Sequence, residues 1–123
     1  MGKKVLVIDD SPSICLKFKY ILNKFCYVTI CNSGVEALKL IKEGRYYDLI
    51  FIDLIMEEMD GFSTTLHIRN YEKKINIKKK HHIIGMSAQH ISKSLLKKSK
   101  HVGMNNLKRK IFNYEDLYNI IIN

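Results

Sequence analysis

Five side chains whose types could do chemistry together stand at four places in the sequence: Asp9 and Asp10, Asp53, Ser87, and Lys110. Asp53 closes an apolar run, residues 49–52, and the loop that follows ends in Asp60-Gly61, a pair that turns favour. Open α/β sheets place their active sites outside the carboxyl ends of the strands, which is where an acid ending a buried strand would stand. Three carboxylates in one such pocket would repel one another. A hard divalent cation relieves that repulsion, and carboxylate oxygens with water suit Mg2+. This chemistry requires the fold to end several strands side by side.

The elements that could do so are legible. Lys4–Ile8 is a continuous apolar strand, as expected of one buried on both faces, and it ends in Asp9-Asp10. Ser11 is placed to cap a helix with Pro12 at its first position, and Ile14, Phe18, Ile21, Leu22 and Phe25 form one apolar face. Residues 27–31 read as a second strand. Ser33 with Glu36 forms a capping box for a helix through Ala37, Leu38 and Ile41 that stops at Gly44.

The third strand spans 48–53 and is followed by a helix over 62–71, with Asp60 assigned to the turn rather than to the site. The lysine-rich segment 73–82 reads as an exposed loop. A fourth strand over 83–87 ends in Ser87, and a helix follows over 91–100 carrying Leu95 and Leu96. Gly103 turns the chain into a fifth strand, 106–110, ending at Lys110. Asn113 caps a last helix with Leu117, Ile120 and Ile121 on one side.

Five strands alternating with five helices predict an α/β doubly wound parallel sheet covered on both faces, with right-handed crossovers. The polar groups singled out then fall in register, each at a carboxyl end. A chain of 123 residues is read as one domain over 1–123, with no separate output domain.

Composition bounds the remaining possibilities. Hydrophobic residues make up 46% of the chain, an ordinary globular share. No run has the length of a membrane span, and residues 5–8 are too short for a signal peptide. Cys15, Cys26 and Cys31 have no metal-ligand spacing, and their odd number predicts reduced thiols in a cytoplasmic setting. The net charge of +9 concentrates in 73–80, 93–100 and 108–110. No zinc-finger spacing or aromatic stacking signature accompanies it, so it is read as a solvated basic face, or one facing an acidic partner, ahead of a nucleic-acid surface.

Four segments together resemble the receiver domain of two-component response regulators: VLVIDDS (5–11), DLIFIDLIMEEMDG (48–61), IIGMSA (83–88) and GMNNLKRK (103–110). The last two are most similar to receivers associated with hybrid histidine kinases. The resemblance covers essentially the whole chain and implies a flavodoxin-like sheet of order 2-1-3-4-5. It also implies that Asp10, Asp53 and the backbone carbonyl of Ile55 ligate Mg2+, with Asp9 acting mainly through water.

On the same resemblance, Asp53 accepts a phosphoryl group from a phosphohistidine, and Lys110 neutralises oxygens of that group. Ser87 swings its hydroxyl to the new phosphate and switches the adjacent helix and fifth strand. The implied partners are a histidine kinase or histidine phosphotransfer protein and a downstream protein target. The implied state is a monomer or weak dimer, promoting only its own phosphorylation and dephosphorylation.

His81, His82, His90 and His101 show no ligand spacing and are read as solvated, and the methionines as fillers of core and loop gaps. The chain also departs from the family pattern. Glu57 and Ile111 stand where prolines are usual, and Leu107 replaces an aromatic that usually turns inward as the hydroxyl moves. A cis bond before a non-proline costs about 2.5–4 kcal/mol, so the bond before Ile111 is expected to be trans. Lys108 or Arg109 could share the role of Lys110. Two other readings remain: a degenerate receiver serving as a constitutive binding module, and an acid-nucleophile hydrolase. The hydrolase is disfavoured because Ile55 stands where such enzymes commonly place a second acid. Nucleotide binding of the Rossmann type is disfavoured because DDSPS, not a Gly-rich loop, follows the first strand.

Overall fold

The computed structural model describes residues 2–110 and 113–122. Five strands alternate with five helices: β1 (Lys4–Ile8), α1 (Pro12–Leu22), β2 (Tyr27–Cys31), α2 (Gly34–Lys42), β3 (Leu49–Asp53), α3 (Gly61–Lys74), β4 (His82–Ser87), α4 (Lys93–Val102), β5 (Asn106–Arg109) and α5 (Tyr114–Ile122). The strands form one sheet in the order β2-β1-β3-β4-β5, and each pairing is parallel. Parallel strands need long crossovers, so α1 to α4 each carry the chain back across a face of the sheet, and α5 follows the last strand.

Alternation along the strands feeds two cores. Leu6, Ile8, Ile50, Ile52 and Ile83 pack with Leu38, Ile41, Ile68 and Val102 on the α2–α3–α4 face. Val5, Val7, Phe51, Ile84 and Met86 pack with Phe18, Ile21, Leu22, Leu117 and Ile121 on the α1–α5 face. With both faces covered, β1 and β3 read as unbroken apolar runs, and Val5 to Ile8 are fully buried. The Phe18 and Phe51 rings meet at 5.2 Å between centroids. The edge strand β2 is less enclosed, and its Tyr27 is exposed.

Several expectations are corrected. Ser11 holds the N-cap position of α1 without a side-chain cap bond; its hydroxyl meets that of Ser13 at 3.1 Å. Phe25 lies beyond the end of α1 yet is buried, packed edge-on against Tyr114 and Tyr118. The Ser33 hydroxyl does accept from Glu36 N, at 3.1 Å. Asp60 is more than a turn residue, since its carboxylate caps α3 by accepting from Ser63 N at 2.8 Å.

The helix α3 runs to Lys74, three residues past the expected 71, because its stop signal is Asn76 in a left-handed conformation (φ 51°). Ile77 N then donates to Glu72 O at 3.0 Å, closing the helix end. The helix α4 begins at Lys93, with Ser92 as its cap, and β5 ends at Arg109, one residue before Lys110. Asn113 and Asp116 cap α5 reciprocally, each side chain accepting from the other's backbone N–H. The bond before Ile111 lies outside the described residues.

His81 is the largest departure from expectation. Rather than being solvated, it is buried, with Nδ1 2.7 Å from Glu72 Oε2 and its ring stacked on Tyr46. Glu72 is buried too, and Arg69 bridges it at 2.8 Å. The same guanidinium donates to the carbonyls of Gly103 and His81 and to Asn105 Oδ1. Burial pushes the Glu72 carboxyl up, but bonds from Arg69 and His81 outweigh it and hold the group below its ordinary range. The hub joins the end of α3, the start of β4 and the turn after α4. Its members come from distant positions with no short-range motif, and the Arg69–Glu72 spacing of three was the one local signal.

Candidate functional site

Three carboxylates at two adjacent strand ends come together here: Asp9, Asp10 and Asp53 have oxygens that all lie within 4.8 Å of one another. Asp9 is fully buried, Asp53 is 6% exposed, and Asp10 is exposed. Asp9 is held by the turn into α1, where its Oδ1 accepts from Ser11 N at 2.9 Å. Its backbone is fixed from both sides: its N–H donates to Cys31 O at 3.1 Å and its carbonyl accepts from the Cys15 thiol at 3.2 Å. All three cysteines are unpaired, as expected.

Lys110 supplies the cation. Its Nζ lies 2.9 Å from Asp9 Oδ2 and 3.4 Å from Asp53 Oδ2. Its backbone N–H donates to Ser87 O at 2.8 Å, which seats the residue after β5 beside the end of β4. Burial pulls the ammonium down, but contacts with Asp9 and Asp53 more than offset it and raise its pKa. Asp53 is the strained member. Burial first, and Asp9 second, push its carboxyl up to about 6 against the pull of Lys110 and of Ile55 N, 3.4 Å from Oδ1. Two buried carboxylates and a third beside them face one ammonium. Such an all-oxygen set with a deficit of positive charge fits a hard divalent cation such as Mg2+.

Ser87 is buried at the end of β4, and its hydroxyl is engaged locally. It donates to Gln89 O at 2.9 Å and accepts from Gln89 N at 3.1 Å, a ring at the start of the loop before α4. Asp53, Ser87 and Lys110 nonetheless line one cavity of about 400 Å3, together with Ile55, Phe62 and Gln89. Sequence reasoning missed Phe62 and Gln89, which carry no charge to mark them. Leu107 is buried among the apolar residues of the α2–α3–α4 face, and Lys108 is half-buried. Ile55 is exposed, Glu57 follows in the same loop, and Glu58 takes a left-handed conformation (φ 65°).

The loop folds back through Gly61, whose N–H donates to Leu54 O at 3.0 Å. A Cβ at Gly61 would strike the Asp53 carbonyl oxygen, so the α3 N-terminus can approach the strand end only as glycine. Every residue nominated from sequence is at this end of the sheet. The histidines do not join them: His81 is in the hub at the opposite end, and His82, His90 and His101 are exposed.

The family model described as the response regulator receiver domain matches residues 5–122. The chain belongs to that family. Among curated proteins this receiver is similar to the transcription factor SKN7 of Saccharomyces cerevisiae, 30% identical over 118 residues, 96% of this chain and 18% of that protein. It is similar to hybrid signal transduction histidine kinase B of Dictyostelium discoideum, 34% identical over 94% of this chain and 6% of that protein. The chain therefore spans less than a fifth of the length of either.

Among solved structures, a mutant of the receiver domain of the histidine kinase CKI1 from Arabidopsis thaliana superposes with a TM-score of 0.85 at 29% identity. That match covers 99% of this chain and 91% of the other. The Vibrio cholerae chemotaxis protein CheY4 gives 0.84 at 26% identity, covering 99% and 98%. The strand order and the family are those expected from the sequence. The protein is a receiver domain of two-component signalling, and no helix among the described residues is long and apolar enough to cross a membrane.

Proposed function

We propose that Asp53 accepts a phosphoryl group from the phosphohistidine of a histidine kinase or histidine phosphotransfer protein in the cytoplasm. The observation that carries this reading is the convergence of three carboxylates with one ammonium, Lys110 Nζ lying 3.4 Å from Asp53 Oδ2. An Asp53 oxygen attacks phosphorus, the phosphorus–nitrogen bond breaks, and the imidazole leaves with its electron pair. Lys110 is placed to follow the charge from the carboxylate to the transferring oxygens. Phosphoryl transfer depends on such positioning and charge neutralisation.

Asp10, Asp53 and the Ile55 carbonyl would hold Mg2+, with Asp9 mainly through water. When bound, the ion supplies positive charge to the phosphoryl oxygens and orients them. Asp9, already paired with Lys110, keeps the ammonium over the pocket.

The readout passes through Ser87. Its hydroxyl must release both bonds to Gln89 before it can turn toward Asp53, each worth roughly 1 kcal/mol net. That motion transmits modification to the loop before α4. Leu107 has no polar group to follow the hydroxyl inward, so signalling relies on this loop and α4.

Intact-mass measurement with acetyl phosphate tests the proposal. One phosphoryl adduct is expected with Mg2+, little without it, and none in Asp53→Asn. Absence of an adduct with Mg2+ and a matched kinase would sink it. If, in addition, Mg2+ left the amide resonances near Asp10 and Asp53 unmoved, a constitutive binding module would be the better reading.

A further inference from the structure

The positive charge of this receiver is segregated. Residues 61–110 hold thirteen Lys and Arg against one acid, Glu72, a net +12. The remaining residues hold eight Lys and Arg against eleven acids, a net −3. A lysine-rich composition would spread lysines throughout; it would not strip acids from one continuous stretch of the chain. The single acid there is buried and already paired with Arg69, so no acid within that stretch offsets the cations at its surface.

The fold gathers the two main lysine stretches. Arg69 donates to His81 O and to Gly103 O, tying the loop after α3 to the turn after α4. Between them runs a groove of about 640 Å3, lined by Lys73, Lys80 and His101 with Asn70, Asn76 and Asn105. Glu72 also lines it, but is buried with both carboxylate oxygens taken by Arg69 and His81. Lys78, Lys79, Lys97 and Lys100 are exposed on the same elements. This surface lies at the end of the sheet opposite Asp53.

We infer that the surface formed by the α3–β4 loop and α4 binds the phosphate backbone of duplex nucleic acid without reading its sequence. Lysine, asparagine and histidine donors, without an exposed acid among them, match what backbone contacts require. Protein interfaces are instead depleted in lysine and enriched in aromatic residues. The exposed aromatics among the described residues, Tyr20, Tyr27, Tyr114 and Tyr118, all lie outside residues 61–110. The basic surface therefore has no exposed Phe or Tyr ring, and His101 is the one imidazole lining the groove. That is too little for a platform on which successive single-stranded bases could stack, which favours a duplex. Gathering of the lysines by the fold, which the sequence alone does not show, moves this reading ahead of a merely solvated face.

The test is fluorescence polarisation with a labelled DNA duplex of mixed sequence over about 50–200 mM salt. Binding should weaken steeply with salt and be indifferent to sequence. Lys78→Gln/Lys79→Gln/Lys80→Gln should lower the affinity at least tenfold at low salt. It should also reduce the slope of log affinity against log salt by about 2 to 3, roughly one for each phosphate that is no longer neutralised. The Lys80 carbonyl, not its side chain, holds Tyr46, so the fold should survive, as circular dichroism would show. A second variant, Lys97→Gln/Lys100→Gln, should act in the same direction. Lys17→Gln/Lys19→Gln on α1 removes as much charge as that second variant and should leave binding unchanged. No binding at low salt, equal weakening in the α1 variant, or tighter binding to poly-glutamate or anionic vesicles than to the duplex would each overturn the inference.

Discussion

The proposed role of Asp53 requires an ionised carboxylate, yet its surroundings resist ionisation. Its pKa stands at about 6 in the folded chain against an ordinary 3.8, chiefly from burial and then from Asp9. A raised folded-state value means that this group's stabilising contribution is full below about 4 and is lost as pH rises through about 6. With Mg2+ chelated, Asp53→Asn should therefore be more stable than the parent chain at pH 7.5, by on the order of 2 kcal/mol. The gap should close as the pH falls toward the ordinary carboxylate range. Urea titrations across that range would measure it, and a gap independent of pH would show that the carboxylate is not the cause. Mg2+ should restore stability to the parent chain and do much less for Asp53→Asn.

At the scale of elements, turn chemistry decides where helices stop and start. Asn76 ends α3 in a left-handed conformation that β-branched residues avoid. Asn76→Val should cost about 1–2 kcal/mol in urea denaturation, whereas Asn76→Gly should be nearly neutral.

This end of α3 also shows why parts of the chain were hard to read. The strands β1 and β3 were legible because burial on both faces leaves unbroken apolar runs, and the three carboxylates were legible because those runs stop at them. The segment 73–80 looked like solvated loop because its lysines mask the last turn of a helix. Ser11 had the right type and position for a cap, but Asp9, two residues earlier, holds its backbone N–H. His81 was misread because its partner, Glu72, sits nine residues away across a helix end, a relation that no spacing rule encodes.

At the scale of the molecule, the two ends of the sheet differ in kind. The carboxyl end holds the charged cavity and a hydroxyl closed only on its own loop; the amino end holds the Arg69–Glu72–His81 hub. Removing Glu72 would leave the buried imidazole and backbone N–H of His81 without their acceptor and take one of four acceptors from the half-buried Arg69 guanidinium. Glu72→Ala should then cost about 3–5 kcal/mol, the usual consequence of breaking a buried pair. Faster amide exchange should be concentrated around residues 81–83 and 103–105. If phosphorylation at Asp53 were still normal in native conditions, the hub would be shown to hold the scaffold without taking part in the chemistry.

Mechanically, β4 and α4 are beams clamped at one end. Arg69 grips the carbonyl before β4 and the carbonyl of Gly103 after α4, and Asn105 Oδ1 accepts from Ile83 N. The other end of each beam, at Ser87 and at Lys93, is joined by the largely exposed loop 88–92. A push delivered at Ser87 cannot slide α4 along the sheet, because its far end is pinned. It can only tilt the helix about Gly103. Displacement then grows with distance from that pivot, so a partner reading the first turn of α4 would sense the largest movement, and one gripping its last turn almost none.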